Sequence, residues 1–173
     1  IDVFAGLADA HPDWDLVIWG DGAQREALSA QVKQLGLGER VSLPGHTGQP
    51  WLEMLQAHAF VLSSRVEGFP NAMLEAMALG LPCVALDCPS GPREISDEGR
   101  VAELVPPGDR EALAAALADL MGRTPGQRLM AGSQAAESVR ARYGLDAVLR
   151  RWDEVLHRAA RRDKGKKGDH GAV

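Results

Sequence analysis

Two glutamates, Glu67 and Glu75, are the side chains with the clearest potential for chemistry, and seven residues separate them. A carboxylate can accept hydrogen bonds from two adjacent hydroxyls at once, and hydrogen bonds to a charged group are strong. Apolar residues surround Glu75 from Ala72 to Met77, which predicts a buried helix where an unpaired carboxylate is costly. We therefore expect both glutamates to face a ligand.

A strand, a tight turn and a helix position these two carboxylates. The apolar run 59–62 predicts the strand, Glu67-Gly68-Phe69-Pro70 predicts the turn, and 71–79 predicts the helix. The proline suits a first helical turn, and Gly80 suits the left-handed position after a helix end. The turn glycine permits a ligand to approach the backbone closely. Because backbone N–H groups at a helix start have no partner in the helix, this segment predicts an anion site.

The rest of the chain alternates apolar strands with helices. Continuous apolar strands are typical of parallel sheets that are covered on both faces. The alternation predicts an α/β fold with a doubly wound, mostly parallel, Rossmann-like sheet and with helices at the C-terminus. The predicted strands are 16–19, 41–43, 59–62, 83–86 and 102–105, and the helices are 1–10, 23–35, 50–57, 71–79, 109–121, 127–142 and 145–160.

The central segment reads EGFPNAMLEAMALGLP, and DCPSGPREI and LVPPGD follow it. This order resembles the E-x7-E region of retaining GT-B glycosyltransferases of the family 4 type, which include sucrose synthases and bacterial polysaccharide enzymes. The resemblance runs from near Ile1 to about Ala160 and covers the C-terminal, donor-binding half of such enzymes. It implies transfer of a hexosyl or N-acetylhexosaminyl group from a UDP- or GDP-linked sugar to a glycan, lipid-linked or other acceptor. It implies no cofactor besides this donor.

The resemblance also assigns roles to the residues of the central segment. Glu75 would accept hydrogen bonds from the ribose hydroxyls of the donor nucleotide. Glu67, the catalytic candidate, would face the transferred sugar, orient it and stabilise positive charge at the anomeric carbon. The residues between them would contribute backbone groups to sugar hydroxyls or phosphate oxygens. These are Gly68, Phe69, Pro70 and Asn71, of which the proline has no N–H to donate.

Three further segments match the rim of the donor pocket in that family. Gly20-Asp21-Gly22 follows a predicted strand, but a tight turn with no ligand is equally consistent with it. Gly45-His46-Thr47 matches a region whose backbone contacts the base, and the His46 side chain itself is expected to be incidental. Arg93 matches a residue at the pocket edge, and a surface ion pair with Glu94 is the alternative.

Composition narrows the classes of protein that remain. The net charge of −5 argues against a general nucleic-acid binder. Cys83 and Cys88, with no signal peptide before them, predict reduced thiols in a cytoplasmic protein. No apolar run approaches the ~20 residues of a membrane span, and the histidines lack metal-ligand spacing, so we expect no metal. We expect residues 161–173 to form a disordered polar tail, with contact to the inner membrane surface as the alternative.

The sequence therefore predicts a nucleotide-sugar-binding domain over residues 1–160. Two alternatives remain open, namely a module that binds nucleotide sugars without transfer and a GT-B nucleotide-sugar epimerase. In the family, the donor-binding half opens with a strand carrying Gly-Arg and then Lys, and Ile1 lies in the helix after that strand. We thus expect a domain truncated at its N-terminus that lacks the acceptor-binding partner domain. Residues 1–173 alone are expected to transfer no sugar.

Overall fold

A computed structural model describes residues 1–167 and shows alternating strands and helices. The strands are β1 (Leu16–Trp19), β2 (Val41–Gly45), β3 (Phe60–Leu62), β4 (Cys83–Leu86) and β5 (Glu103–Val105). The helices are α1 (Asp2–Ala5), α2 (Arg25–Gln34), α3 (Pro50–Gln56), α4 (Asn71–Ala78), α5 (Pro92–Ile95), α6 (Arg110–Gly122), α7 (Pro125–Tyr143) and α8 (Leu145–Lys167). The order of elements is the predicted one except for α5, a short helix that the sequence did not predict, and helices lie at the C-terminus as expected.

All strand pairs are parallel, which confirms the predicted α/β architecture. The strands form two hydrogen-bonded sheets, β1–β2 and β3–β4–β5. Phe60 of β3 lies opposite Cys83 of β4, whereas Val84 of β4 lies opposite Glu103 of β5. Among the described residues no ladder joins β1 to β3. Side chains connect the segments before these two strands, because the Trp14 and His58 rings meet edge to face with centroids 6.0 Å apart.

The largest buried cluster lies between α4, the three-stranded sheet and α7. Met73, Ala76 and Met77 of α4 are completely buried there, in contact with α7 residues that include Ala135. A β-carbon on Gly132 of α7 would lie 1.8 Å from the Gly80 carbonyl oxygen, so only glycine permits the two backbones to approach this closely. This packing fixes α4, and with it the helix start that the sequence identified as an anion site.

Three predicted boundaries need correction. The first helix spans Asp2–Ala5 rather than 1–10, and turns replace its remainder from Gly6 onward. Glycine is a poor helix former, which accounts for the early end. Helix α8 continues past residue 160 to Lys167, so residues 161–167 are helical rather than a disordered tail. This segment is rich in Arg and Lys, which are good helix formers. Residues 168–173 of the predicted tail lie outside the described residues.

The third boundary correction concerns Pro70, which is the N-cap of α4 rather than a residue of its first turn. By contrast, Gly80 adopts the predicted left-handed conformation after the helix, with a φ of +84°. Its N–H donates to the Met77 carbonyl at 3.0 Å, and Leu81 N–H donates to the Ala76 carbonyl at 3.0 Å. These two bonds are the pattern that ends helices at a left-handed glycine.

Both cysteines are free and buried, and their environment leads to a testable expectation. Burial removes the Cys83 thiolate from water and raises the pKa of Cys83 from 9.0 to about 12. We expect the Cys83 thiol to resist a disulfide reagent at pH 8 in the folded protein and to react within seconds after unfolding. Because folding raises this pKa, the folded state holds the thiol proton at alkaline pH where the unfolded state has lost it. The free energy of unfolding should therefore fall as the pH rises above 9. Rapid reaction of Cys83 in the folded protein would contradict this assignment.

Candidate functional site

The turn at 67–70 follows β3 and leads directly into α4. Pro70 is buried, and Gly91 at the start of α5 packs directly against its ring. A β-carbon on Gly91 would lie 2.2 Å from Pro70 Cδ, and Gly91 has a φ of +104°. The side of the turn that faces α5 is therefore fixed by a contact that only glycine allows.

This contact can be tested with a matched pair of glycine variants. Gly91→Ala should lose stability through its left-handed backbone, at about 1–2 kcal/mol. It should lose a further ~1–3 kcal/mol because the new methyl group overlaps Pro70. Gly108→Ala is the control, since Gly108 has a φ of +86° but open space around it. Chemical denaturation should show a larger loss for Gly91→Ala, and equal losses would mean that the Pro70 contact does not constrain the turn.

The backbone N–H groups at this turn are only partly available to a ligand. Asn71 N–H donates to the Phe69 carbonyl at 2.9 Å, so the expectation that Asn71 offers its N–H to a ligand needs correction. Met73 and Leu74 donate to the Pro70 carbonyl at 3.0 and 3.2 Å. Within the described part of the chain, the N–H groups of Gly68, Phe69 and Ala72 have no such partner. A ligand oxygen can therefore be bound by the amides that flank Pro70 and Asn71.

The two glutamates differ in burial, and Glu75 is less buried than the apolar residues around it in the sequence predicted. Glu67 is half-buried in the turn. Glu75 is exposed on α4, because the buried face of that helix carries Met73, Ala76 and Met77 and the opposite face carries Glu75. The prediction that Glu75 lies in a fully buried helix was thus wrong. Among the side chains that the structure describes, neither carboxylate has an ion-pair or side-chain hydrogen-bond partner. Both are free to accept hydrogen bonds from a ligand.

Tyr143, which the sequence did not single out, lies against the same turn. Its ring meets the Phe69 ring with centroids 6.0 Å apart and an interplanar angle of 60°. Its hydroxyl donates to Glu94 Oε1 at 3.2 Å. Nearby, the Arg142 guanidinium donates to the carbonyl oxygens of Glu94 and Ile95, at 2.6 Å each. In the sequence, Tyr143 is notable only as the single tyrosine of the chain, at a helix end just before Gly144. No neighbouring residue in the sequence indicated that it would contact Phe69 or Glu94.

One left-handed glycine follows β1 directly, and another is the last residue of β2. Gly20 has a φ of +119° and Gly45 a φ of +95°, and a β-carbon on Gly20 or Gly22 would meet nothing within 4 Å. The Gly22 N–H donates to the Asp21 carboxylate at 2.8 Å. For Gly20-Asp21-Gly22, these features fit both a rim of the donor pocket and a tight turn with no ligand.

The loop after β2 is held by a side chain from α2. The Arg25 guanidinium donates to the Leu43 carbonyl oxygen at 2.7 Å and lies against Gly45. His46 is exposed, and the Thr47 hydroxyl accepts a hydrogen bond from Gln49 N–H at 3.1 Å. In the segment Gly45-His46-Thr47, Gly45 is therefore buried, and His46 is the residue that is exposed.

Arg93 forms ion pairs with Asp87 and Glu98 instead of Glu94. The hydrogen bond from Arg93 to Asp87 raises the pKa of the guanidinium above its ordinary value. The segment 97–99 beside it is left-handed at three consecutive residues, with φ values of 56°, 60° and 81°. Arg93 therefore lies between the carboxylates of Asp87 and Glu98. Its neighbour Glu94 instead accepts the hydrogen bond from Tyr143.

Within 1–167 no group of three or more His, Cys, Asp and Glu side chains is arranged to hold a metal ion. In the same residues, no helix has the length and apolar character needed to span a bilayer.

Comparison with known proteins connects this geometry to a family. The profile of the family "Glycosyl transferases group 1" matches residues 1–137. An exopolysaccharide phosphotransferase from Streptomyces coelicolor is 37% identical over 162 residues, which are 90% of this chain and 16% of that protein. The lipopolysaccharide 1,6-galactosyltransferase of Salmonella typhimurium is 41% identical over 111 residues, which are 62% of this chain and 31% of that enzyme.

Solved structures show the same fold. A Staphylococcus aureus TarM variant, crystallised in complex with UDP and two other ligands, superposes with a TM-score of 0.81 at 22% identity. The match covers 88% of this chain and 31% of TarM. This chain therefore spans about a third or less of each of these three proteins. With a family profile matched over most of its length, and with parallel sheets and flanking helices of the GT-B Rossmann-like type, the chain belongs to the glycosyl transferases group 1 family.

Proposed function

We propose that the chain is the C-terminal, donor-binding domain of a retaining glycosyltransferase of the family 4 type. The observation that supports it best is the pair of carboxylates at the start of α4. Glu67 lies half-buried in the turn and Glu75 lies exposed on the helix. Neither carboxylate pairs with any of the described side chains. Two unpaired carboxylates beside free backbone amides suit a ligand that carries both hydroxyls and an anionic group.

The proposed donor is a nucleotide-diphosphate sugar, UDP- or GDP-linked. Glu75 would bind the ribose hydroxyls, which it can do from the surface of α4 because the ligand itself supplies the burial. The amides of Phe69 and Ala72, at the positive end of the α4 dipole, would bind sugar hydroxyls or phosphate oxygens. The solved TarM structure contains UDP in a protein of this fold, which is consistent with such a donor.

The proposed reaction breaks the bond between the anomeric carbon and a diphosphate oxygen while an acceptor hydroxyl attacks from the same face. The hydroxyl oxygen forms the new glycosidic bond, and its proton passes to the departing diphosphate oxygen. Positive charge develops on the anomeric carbon as this bond lengthens. Glu67 would stabilise that charge and hold the sugar in place, and a half-buried carboxylate does so more strongly than one in bulk water. The transferred group would be a hexose or an N-acetylhexosamine, and retention would follow from attack on the face that the diphosphate leaves.

The acceptor side of the reaction is a separate part of the proposal. We propose that a second domain binds the acceptor, since the chain spans about a third of the matched galactosyltransferase. We also propose a cytoplasmic enzyme that works in polysaccharide synthesis, with basic residues of α8 such as Arg158 and Arg161 near the inner membrane surface. The name of the Streptomyces relative, a phosphotransferase, is not carried over, because the match covers 16% of that protein.

A nucleotide screen followed by a transfer assay tests the proposal. Thermal shift with millimolar UDP, GDP, ADP and the free nucleosides should identify one diphosphate that stabilises the protein, since a ligand stabilises the state that binds it. The matching nucleotide sugar should then yield a glycoside with retained configuration in the complete protein. Stabilisation without transfer would favour the binding module, and an altered free sugar nucleotide would favour the epimerase. No stabilisation by any nucleotide would contradict all three.

A further inference from the structure

The turn that carries Glu67 is supported unevenly. On one side, Pro70 is buried against Gly91. On the other side, the residues before Pro70 project into solvent, and the exposed fractions are 77% for Val66 and 40% for Phe69. Within the described residues, the N–H groups of Gly68 and Phe69 make no backbone hydrogen bond. The first half of the turn therefore needs side-chain contacts to hold its shape.

The Phe69 ring supplies such a contact through Tyr143. The two rings are tilted by 60° with centroids 6.0 Å apart, which lies within the favourable range for aromatic pairs. The Tyr143 hydroxyl donates to the Glu94 carboxylate at 3.2 Å, so the ring is attached at its far end as well. Partial burial, together with the negative charge of Glu94, raises the pKa of Tyr143 above its ordinary value.

The end of α7 is itself anchored to α5. The Arg142 guanidinium donates to two carbonyl oxygens at the end of α5, those of Glu94 and Ile95, and it also donates to the Ser138 hydroxyl at 3.2 Å. Ile95 is completely buried. Helix carbonyls at a C-terminus lack partners within the helix, and a guanidinium both satisfies them and matches the helix dipole. Tyr143 thus projects from this hydrogen-bonded junction toward the exposed half of the turn.

We propose that Tyr143 is a positioning residue that acts on Glu67 through Phe69. The ring contact fixes Phe69, and Phe69 lies two residues after Glu67 in the same turn. The hydroxyl bond to Glu94 fixes the direction of the Tyr143 ring. This inference rests on the proposed function, since it assigns Tyr143 to the alignment of the carboxylate that would face the transferred sugar.

The first arm of the test needs no activity. Amide hydrogen exchange in the 173-residue chain should be about fivefold faster at Asn71 in Tyr143→Leu than in the wild type. The Asn71 N–H donates to the Phe69 carbonyl, and opening of this bond sets its exchange rate. Tyr143→Phe keeps the ring and should exchange within about twofold of the wild type. Trp152→Leu, which removes an exposed aromatic ring from α8, is the matched control and should leave this turn unchanged. Unchanged exchange in Tyr143→Leu would overturn the proposal.

The second arm measures turnover in the complete enzyme. Tyr143→Leu should lower kcat about tenfold with little change in nucleotide Kd, and Tyr143→Phe should restore most of the loss. In the Phe69→Leu background, Tyr143→Leu should cost less than about twofold further, because the two residues act through one contact. Additive losses, or a parallel loss of kcat and Kd, would indicate a structural role only. If the wild type transfers no sugar, the proposed function fails, and the exchange arm still decides whether Tyr143 holds the turn.

Discussion

Replacement of Glu67 by Gln is expected to lower turnover about 100-fold in the complete enzyme, while the affinity for the nucleotide changes by less than about threefold. The amide has nearly the shape of the carboxylate and keeps one acceptor oxygen, but it carries no charge. It therefore continues to orient the sugar and loses the stabilisation of positive charge at the anomeric carbon. Steady-state kinetics with the cognate nucleotide sugar, together with calorimetry with the nucleoside diphosphate, would separate these two effects.

The comparison variant for Glu67 is Glu75→Gln. That carboxylate lies on α4 and, in the proposed arrangement, touches the ribose rather than the reacting sugar. Its replacement should change affinity more than turnover, the reverse of the pattern for Glu67→Gln. If both variants lost affinity and turnover in the same proportion, neither glutamate could be assigned a separate role. A Glu67→Gln enzyme with normal turnover would remove Glu67 from the reaction.

Replacement of Glu75 by Ala is expected to weaken nucleotide binding about 10- to 100-fold, the scale of a hydrogen bond to a charged group. Glu75 is exposed in the structure, so its removal should hardly affect folding. A stability change is therefore not expected to confuse the measurement. Calorimetric titration with the nucleoside diphosphate, and in parallel with a 2′-deoxy analogue, would show whether the ribose hydroxyls are the groups that are lost.

The matched control for Glu75 is Glu137→Ala, another exposed helical glutamate, which lies on α7. It removes the same charge from the protein and should leave the nucleotide affinity unchanged. In Glu75→Ala the 2′-deoxy analogue should bind nearly as well as the parent nucleotide, because the hydroxyl no longer has its partner. Full retention of affinity in Glu75→Ala would exclude the ribose role.

Local sequence chemistry predicted every described strand and all of the described helices except α5. Apolar runs predicted all five described strands, with β1 and β4 at their observed bounds. Gly80 adopts the left-handed conformation after α4, and Asp109 caps α6 by accepting from Ala112 N–H at 2.8 Å. Such signals depend on residues within about one helical turn of each other, which is why they can be recognised without a structure.

Tertiary packing decided the surroundings of each side chain in the site. The apolar neighbours of Glu75 suggested burial, yet the contact of α4 with the sheet and α7 covers only one face of the helix and leaves Glu75 outside. Arg93 was expected to be either a donor contact or a partner of Glu94, and the fold instead places it between Asp87 and Glu98. These outcomes depend on which elements meet in space, and a helix sequence alone does not fix that.

The Tyr143 contact shows the same division between sequence and structure. The sequence predicted the turn at 67–70 and the helix over 127–142, but it gave no indication that the residue after that helix would reach the turn. The pairing of Tyr143 with Phe69 and Glu94 follows from the packing of α7 on α4 and from the Arg142 bonds to α5. Contacts between residues so distant in the chain are set by the packing of whole elements, and only the tertiary structure determines them.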